Sequence, residues 1–294
     1  MSSLSKFAIL ISFFALWITI YFSYKHQQII GFVVIFLFGI LHGANDLALF
    51  QKINDTKTSL SLKKMLLYYI AIVIFGATLF YSIPVFALSL FILLSSYHFG
   101  EQHWNTLKME KNNRWFTFFQ TSYGLFILFL LFSFHQEEVE TILSQITGVS
   151  AGMLDFSFLT FLVGVLMIIL GFIINRNSIQ FKSEIVLNIF YLMVFAIIFK
   201  SADLIWAFAI YFVVWHSIPS IKEQINFLYG DFNFKNFKRY FLSAFVYWIA
   251  SLFGISILYF LFKDQEVFDA LFFSFLAAIT FPHTIVILKM QNKV

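Results

Sequence analysis

An all-α fold that crosses a membrane many times is what this sequence predicts, and three observations carry the prediction. Hydrophobic residues make up 61% of the 294-residue chain and charged ones only 12%, far from the balance of a soluble globular protein. The apolar residues gather into runs close to the about 20 residues a helix needs to cross a bilayer. The lysines and arginines fall between those runs. Together they predict a polytopic transmembrane helical bundle of about ten spans (eight to ten), forming a single integral membrane domain over residues 1–294.

In chain order the spans are 7–23, 29–50, 65–82, 84–104, 115–134, 155–174, 183–200, 203–221, 240–262 and 267–288. The first is followed by Tyr24-Lys25-His26-Gln27-Gln28 and no small-residue cleavage site, so it reads as an uncleaved helix. The third and fourth are separated only at Ile83-Pro84, where proline favours a turn or kink. The seventh and eighth are separated only by Lys200-Ser201-Ala202-Asp203. With the N-terminus cytoplasmic and ten alternating spans, all of the 19 lysines and arginines except Lys25, Lys200 and Lys263 fall on the inside. The 135–154 loop, on the outside, has no cation and carries Glu137, Glu138 and Glu140. That asymmetry predicts a multi-pass protein of the cell (inner) membrane with its N-terminus inside.

Composition also excludes function classes. The net charge of +4 sits in short loops and forms no basic face, so no nucleic-acid partner is expected. The chain has no cysteine, which rules out disulfides, thiolate metal sites and iron–sulfur clusters. Its 44 phenylalanines have two readings, lipid-facing and packing use or an aromatic-walled cavity for a long apolar ligand.

Chemistry enters with the histidines. Ionisable side chains are costly in hydrocarbon and usually mark a site or pathway. His42, in Ile40-Leu41-His42-Gly43-Ala44-Asn45-Asp46, lies in the second span. His98, in Ser95-Ser96-Tyr97-His98-Phe99-Gly100-Glu101, lies in the fourth, and His216 and His283 lie in the eighth and tenth. All four spans run from outside to inside, and each histidine stands six to ten residues before the first cation of the following inside loop. At about 1.5 Å of rise per residue that is a spread of about 6 Å, so the four are expected to share one layer of the bundle and one metal ion. Asp46 follows His42 by four residues and Glu101 follows His98 by three, which puts each carboxylate on its histidine's helical face. A metal-bound histidine usually gives its second ring N–H to such an acceptor. His103, five residues after His98, points about 140° round the helix and so elsewhere unless the helix breaks at Gly100. His26 and His135 fall in outside loops and are expected to be solvated, and the tryptophans are expected to anchor or pack helices. All-nitrogen ligation suits iron, copper or zinc; a redox metal among lipid-facing helices points to oxygen chemistry, zinc to hydrolysis.

These motifs carry a resemblance. His42-Gly43-Ala44-Asn45-Asp46 resembles the HGxxD motif, Tyr97-His98-Phe99-Gly100 the HFG motif and Trp215-His216-Ser217 the HS motif of the Brp/Blh family of membrane-embedded beta-carotene 15,15'-dioxygenases. The resemblance implies a non-haem Fe(2+) held by histidines, with His42, His98 and His216 as ligands. It implies cleavage of the central double bond of beta-carotene, or a related carotenoid, by dioxygen to give retinal. The family's third motif reads HSxRH; here the arginine place is Pro219 and the second histidine is Ser220. His283 is therefore taken as the fourth ligand, with His103 the runner-up, and Asp46, Glu101 and Ser220 are assigned to the shell behind the ligands. Two other readings stay open: a metal-free carotenoid- or retinal-binding membrane protein, and another membrane iron oxygenase. The clustered HxxxH and HxxHH boxes of di-iron hydroxylases are absent, and no lysine lies mid-span to bind retinal as a Schiff base.

Overall fold

The computed structural model describes residues 2–54, 62–107, 113–152, 154–175, 179–262, 268–291 and 293; the loop cations Lys57, Lys108, Lys111, Arg176 and Lys263 lie outside them. All regular structure among the described residues is helical, with no strand among them. In order they form α1 (Ser3–Thr19), α2 (Tyr24–Val34), a π-helical segment (Ile35–Gly39), a 3-10 turn (Ile40–His42), α3 (Asp46–Asn54), α4 (Leu62–Ser82) and α5 (Pro84–His103). There follow α6 (Arg114–Phe134), α7 (Gln136–Thr147), α8 (Phe156–Asn175), α9 (Ile179–Ser201), α10 (Leu204–Ile210), a second π-helical segment (Tyr211–Ser217), α11 (Ile218–Tyr229), α12 (Phe234–Phe262) and α13 (Phe268–Gln291).

Nine helical stretches among the described residues are long and apolar enough to cross a membrane, so the chain is a multi-pass membrane protein. The first expected span, 7–23, folds as α1, a shorter apolar helix of 17 residues. Both narrow breaks fall where the sequence puts them. α4 ends at Ser82 and α5 opens on Pro84, whose missing N–H costs nothing in a first turn. Asp203 caps α10 by accepting a hydrogen bond from the Trp206 backbone N–H at 3.0 Å.

The chain divides into two compact units, residues 1–33, 92–141 and 150–216 in the first and 34–91, 142–149 and 217–294 in the second. In the first, α6 packs along α8 and α9, and α9 also meets α1 and α10. Its interior is aromatic: Trp104, Tyr123, Phe181, Phe195, Phe199 and Tyr211 are fully buried, and Trp104 stacks on Phe181 at 5.0 Å. In the second, α13 packs against α4 and α3, while α11 and α12 pack on each other and on the 3-10 turn. Phenylalanine serves both interior and exterior, since Phe75, Phe161 and Phe253 are each more than 60% exposed. Apolar area of that extent has no place facing water and suits lipid. The tryptophans pack and anchor as expected: the indole N–H of Trp215 donates to Ser12 Oγ and that of Trp248 to the Leu37 carbonyl. His26 is exposed, as expected, but in α2 and not a loop. His135 is not simply solvated, since its Nε2 donates to the Phe199 carbonyl at 2.8 Å.

Candidate metal centre

His42 and His283 lie in the second unit and are both buried. Their rings stand edge to face, centroids 4.7 Å apart and planes at 88°. His42 occupies the 3-10 turn that follows the π-helical segment, where the change of helical pitch frees backbone carbonyls. Its own Nδ1 is bonded to the Gly39 carbonyl. The His42 carbonyl in turn accepts from Gln224 Nε2 at 2.8 Å and from the Tyr240 hydroxyl at 3.3 Å. Tyr240 donates also to Gln224 Oε1 at 2.8 Å, and Asn45 Nδ2 donates to the Tyr240 carbonyl at 2.8 Å. The backbone at His42 is thus held by a buried amide and phenol network.

Asp46 does not face His42. The i,i+4 relation on which that pairing rests requires a continuous α-helix, and the chain from Ile40 to Asn45 is instead a 3-10 turn and loop. Asp46 opens α3, and its Oδ1 accepts from His283 Nδ1 at 2.8 Å. Its Oδ2 accepts from the Tyr69 hydroxyl at 3.0 Å. His283 follows Pro282 inside α13, where the proline removes one backbone donor.

In the first unit His98 and His216 form a second perpendicular pair, centroids 4.7 Å apart and planes at 84°. Both are buried. His98 stands in regular α5, and the close approach of α5 to α6 fixes that stretch: a Cβ on Gly100 would lie 1.7 Å from the Gln120 carbonyl oxygen, and one on Gly124 would lie 1.9 Å from that of Ser96. Gly43, by contrast, has ordinary room for a Cβ, whose closest neighbour is His283 Nδ1 at 3.7 Å. His216 lies in the second π-helical segment, with its ring stacked on Phe212 at 5.5 Å and edge-on to Phe99 at 4.7 Å. Gln102 supplies two polar contacts to it: Oε1 is bonded to His216 Nδ1 and Nε2 donates to the His216 carbonyl at 3.0 Å. Glu101 is half-buried on the same helix.

His103 occupies a different environment of the first unit. Its ring contacts are with Tyr123, Tyr191, Phe195 and Tyr211 at 5.4 to 6.4 Å, and none is with His98 or His216.

The imidazoles have the chemistry a metal requires. The Gly39 carbonyl can only accept a hydrogen bond, and so can a carboxylate, so Nδ1 of His42 and of His283 carries the proton. The same follows for His216, because Gln102 must turn its NH2 to the carbonyl and its oxygen to the ring. Each of the three therefore has Nε2 as its lone-pair nitrogen, the arrangement that outer partners impose on metal-binding histidines. Among the described residues no group of three or more His, Asp or Glu side chains is gathered so as to hold a metal ion by itself. The donors come as pairs.

Comparison with protein families adds the decisive observation: the model of the beta-carotene 15,15'-dioxygenase family matches residues 33–291. The chain belongs to the beta-carotene 15,15'-dioxygenase family. No curated protein and no solved structure matches it. The matched region holds all four buried histidines, together with Gln102, Gln224, Tyr69 and Tyr240. At the position where this dioxygenase family's third motif has its second histidine, Ser220 is buried and its Oγ accepts from Gln224 Nε2 at 3.0 Å. Ser220 thus joins the network that holds the His42 backbone. None of Gln102, Gln224, Tyr69 or Tyr240 is signalled by the sequence; the one available hint is that Gln102 stands one helical turn after His98.

Proposed function

We propose that the chain is a membrane-embedded non-haem iron dioxygenase that cleaves the central double bond of beta-carotene, or a closely similar carotenoid, to retinal. The iron is assigned to the imidazoles of His42, His98, His216 and His283. The observation that carries the reading is that three of these four buried histidines have Nδ1 bonded to a fixed oxygen acceptor, so that Nε2 carries the lone pair a metal ligand needs. That the four serve one ion rests on their shared register ahead of the inside loops.

Ferrous iron supplies the activation of dioxygen for oxidative scission of a carbon–carbon double bond. Both oxygen atoms are accounted for, one in each aldehyde, and no external reductant is needed. The protein's part is positioning. Asp46, tied down by Tyr69, holds His283 in one tautomer, and Gln224 with Tyr240 holds the turn that carries His42. The apolar, aromatic surroundings exclude water and suit a polyene that has no polar atoms to recognise. No side chain is required to move a proton to or from the substrate.

One residue favours a second reading, a carotenoid- or retinal-binding membrane protein without cleavage activity: Ser220 stands where the family has a histidine. Expression in a host that makes beta-carotene separates the two. Bleached cells containing retinal, with iron in the purified protein and loss of both on His42→Ala or His98→Ala, are expected. Coloured cells without retinal, despite abundant iron-free protein, would establish the carrier. The assignment to the cell membrane, N-terminus inside, belongs to the same proposal and rests on the loop charges.

A further inference from the structure

We infer that Gln102 is the positioning residue of His216, fixing both the tautomer and the plane of its ring; the inference rests on the reading of His216 as a metal ligand. Two hydrogen bonds join one amide to one residue: Gln102 Nε2 donates to the His216 carbonyl at 3.0 Å, and Oε1 accepts from His216 Nδ1. A single acceptor on Nδ1 fixes a tautomer but leaves the ring to turn about the bond to Cβ. An amide that also grips the carbonyl of the same residue removes that freedom. Phe212 and Phe99 close on the ring from two further directions. All the groups belong to one compact unit, and Gln102 is 8% and His216 1% exposed.

The placement follows from helix geometry. Gln102 is four residues after His98 in α5, so one helix face carries a proposed ligand and, a turn later, the orienting amide of another. His216 meets that face across the unit, its ring 4.7 Å from that of His98. A neutral amide suits the setting, since a carboxylate here would have to be stripped of water, while the amide presents donor and acceptor without a charge. The π-helical turn at Tyr211–Ser217 accompanies the clamp, and its i→i+5 bonding shifts the backbone ladder around the His216 carbonyl.

The test uses full-length detergent-solubilised protein with 15N-labelled histidine, free of metal, and compares wild type with Gln102→Leu and Gln102→Glu; His216→Ala assigns the signal. Wild-type His216 is expected as the Nδ1–H tautomer. Gln102→Leu should release it towards the Nε2–H tautomer, and Gln102→Glu, which keeps an acceptor, should restore Nδ1–H. Titration of the same proteins with Co2+ should show affinity falling about 10- to 100-fold in Gln102→Leu and recovering in large part in Gln102→Glu, with thermal midpoints recorded to separate folding from positioning. A wild-type His216 in the Nε2–H form, or an Nδ1–H form unchanged in Gln102→Leu, overturns the inference, as does equal loss of Co2+ in both variants alongside a common fall in stability. A tautomer that follows Gln102 in a protein that takes up no Co2+ upholds the positioning and sinks the iron reading instead.

Discussion

At the scale of single residues, Ser220 is where this chain departs from its family's third motif, and His283 is the proposed substitute for the missing histidine. Ser220 Oγ lies in the hydrogen-bond network of Gln224, whose amide holds the His42 carbonyl. An imidazole at position 220 would therefore start beside the proposed centre. If His283 replaces the family's missing ligand, His283→Ala should lose most of the bound iron and of the retinal formed, and adding Ser220→His should return part of both. Stoichiometric iron in the single His283→Ala variant would remove His283 from the ligand set. The four histidines were legible in the sequence because an ionisable ring in an apolar run is conspicuous whatever surrounds it. Their partners were not. Asp46 meets His283 across 237 residues and Gln102 meets His216 across 114, and periodicity relates only neighbours on one helix. The rule also fails locally, since Asp46 would face His42 only if the helix continued through Gly43.

Two of the four histidines lie where an element departs from the α-helix, His42 in a 3-10 turn after a π-helical segment and His216 within a π-helical segment, while His283 follows a proline inside α13. Such irregularities expose carbonyls that a regular helix would consume, and Gln224, Tyr240 and Gln102 bind them. Only the proline is written in the sequence. The π-helical segments have no residue signature, because they arise where packing shifts a helix by a fraction of a turn, so the spans were legible and their defects were not. His98, in regular helix, is fixed instead by the contact of α5 with α6. Gly100→Ala would drive a methyl group into the Gln120 carbonyl, a backbone atom that cannot swing aside. It should lower the thermal midpoint of the solubilised protein sharply and reduce its iron content, whereas Gly43→Ala, with ordinary room, should change stability little. A separate expectation concerns the cap of α10, outside the spans. Burial, reinforced by the charge of Glu138, pushes the Asp203 carboxyl up from 3.8 to about 6, although the Trp206 N–H it caps works in the opposite sense. A carboxyl harder to ionise in the folded state than in the unfolded one gives stability that falls as pH rises from about 4 to about 6. Asparagine keeps the capping oxygen and cannot ionise. Asp203→Asn should thus match wild type near pH 4 and exceed it in thermal midpoint above pH 6; an equal difference at both ends would mean that ionisation of Asp203 is not the cause.

For the molecule as a whole, the proposal that four histidines serve one ion depends on how the chain runs through the membrane. Nine apolar helical stretches with α1 as a short tenth permit an even number of crossings, which would return both termini to one side. The cation bias then selects the inside for the N-terminus, and it makes the spans bearing His42, His98, His216 and His283 run in the same direction. Were α1 to lie at the surface instead of crossing, the direction of every later span relative to the N-terminus would invert, while the four would still run parallel to one another. The loop charges would then hold the later spans as they are and move the N-terminus outside. Because the chain has no cysteine, single cysteines decide between these arrangements without background. Ser150→Cys, exposed in the acidic segment before α8, and Ser3→Cys, exposed at the start of α1, are suitable sites. In intact cells a membrane-impermeant maleimide should label the first and reach the second only after the membrane is opened. Labelling of both in intact cells would put α1 at the outer surface and leave nine crossings. Labelling of Ser3→Cys alone would reverse the whole arrangement, placing the basic loops outside against the charge bias and moving the shared layer of histidines to the outer half of the membrane.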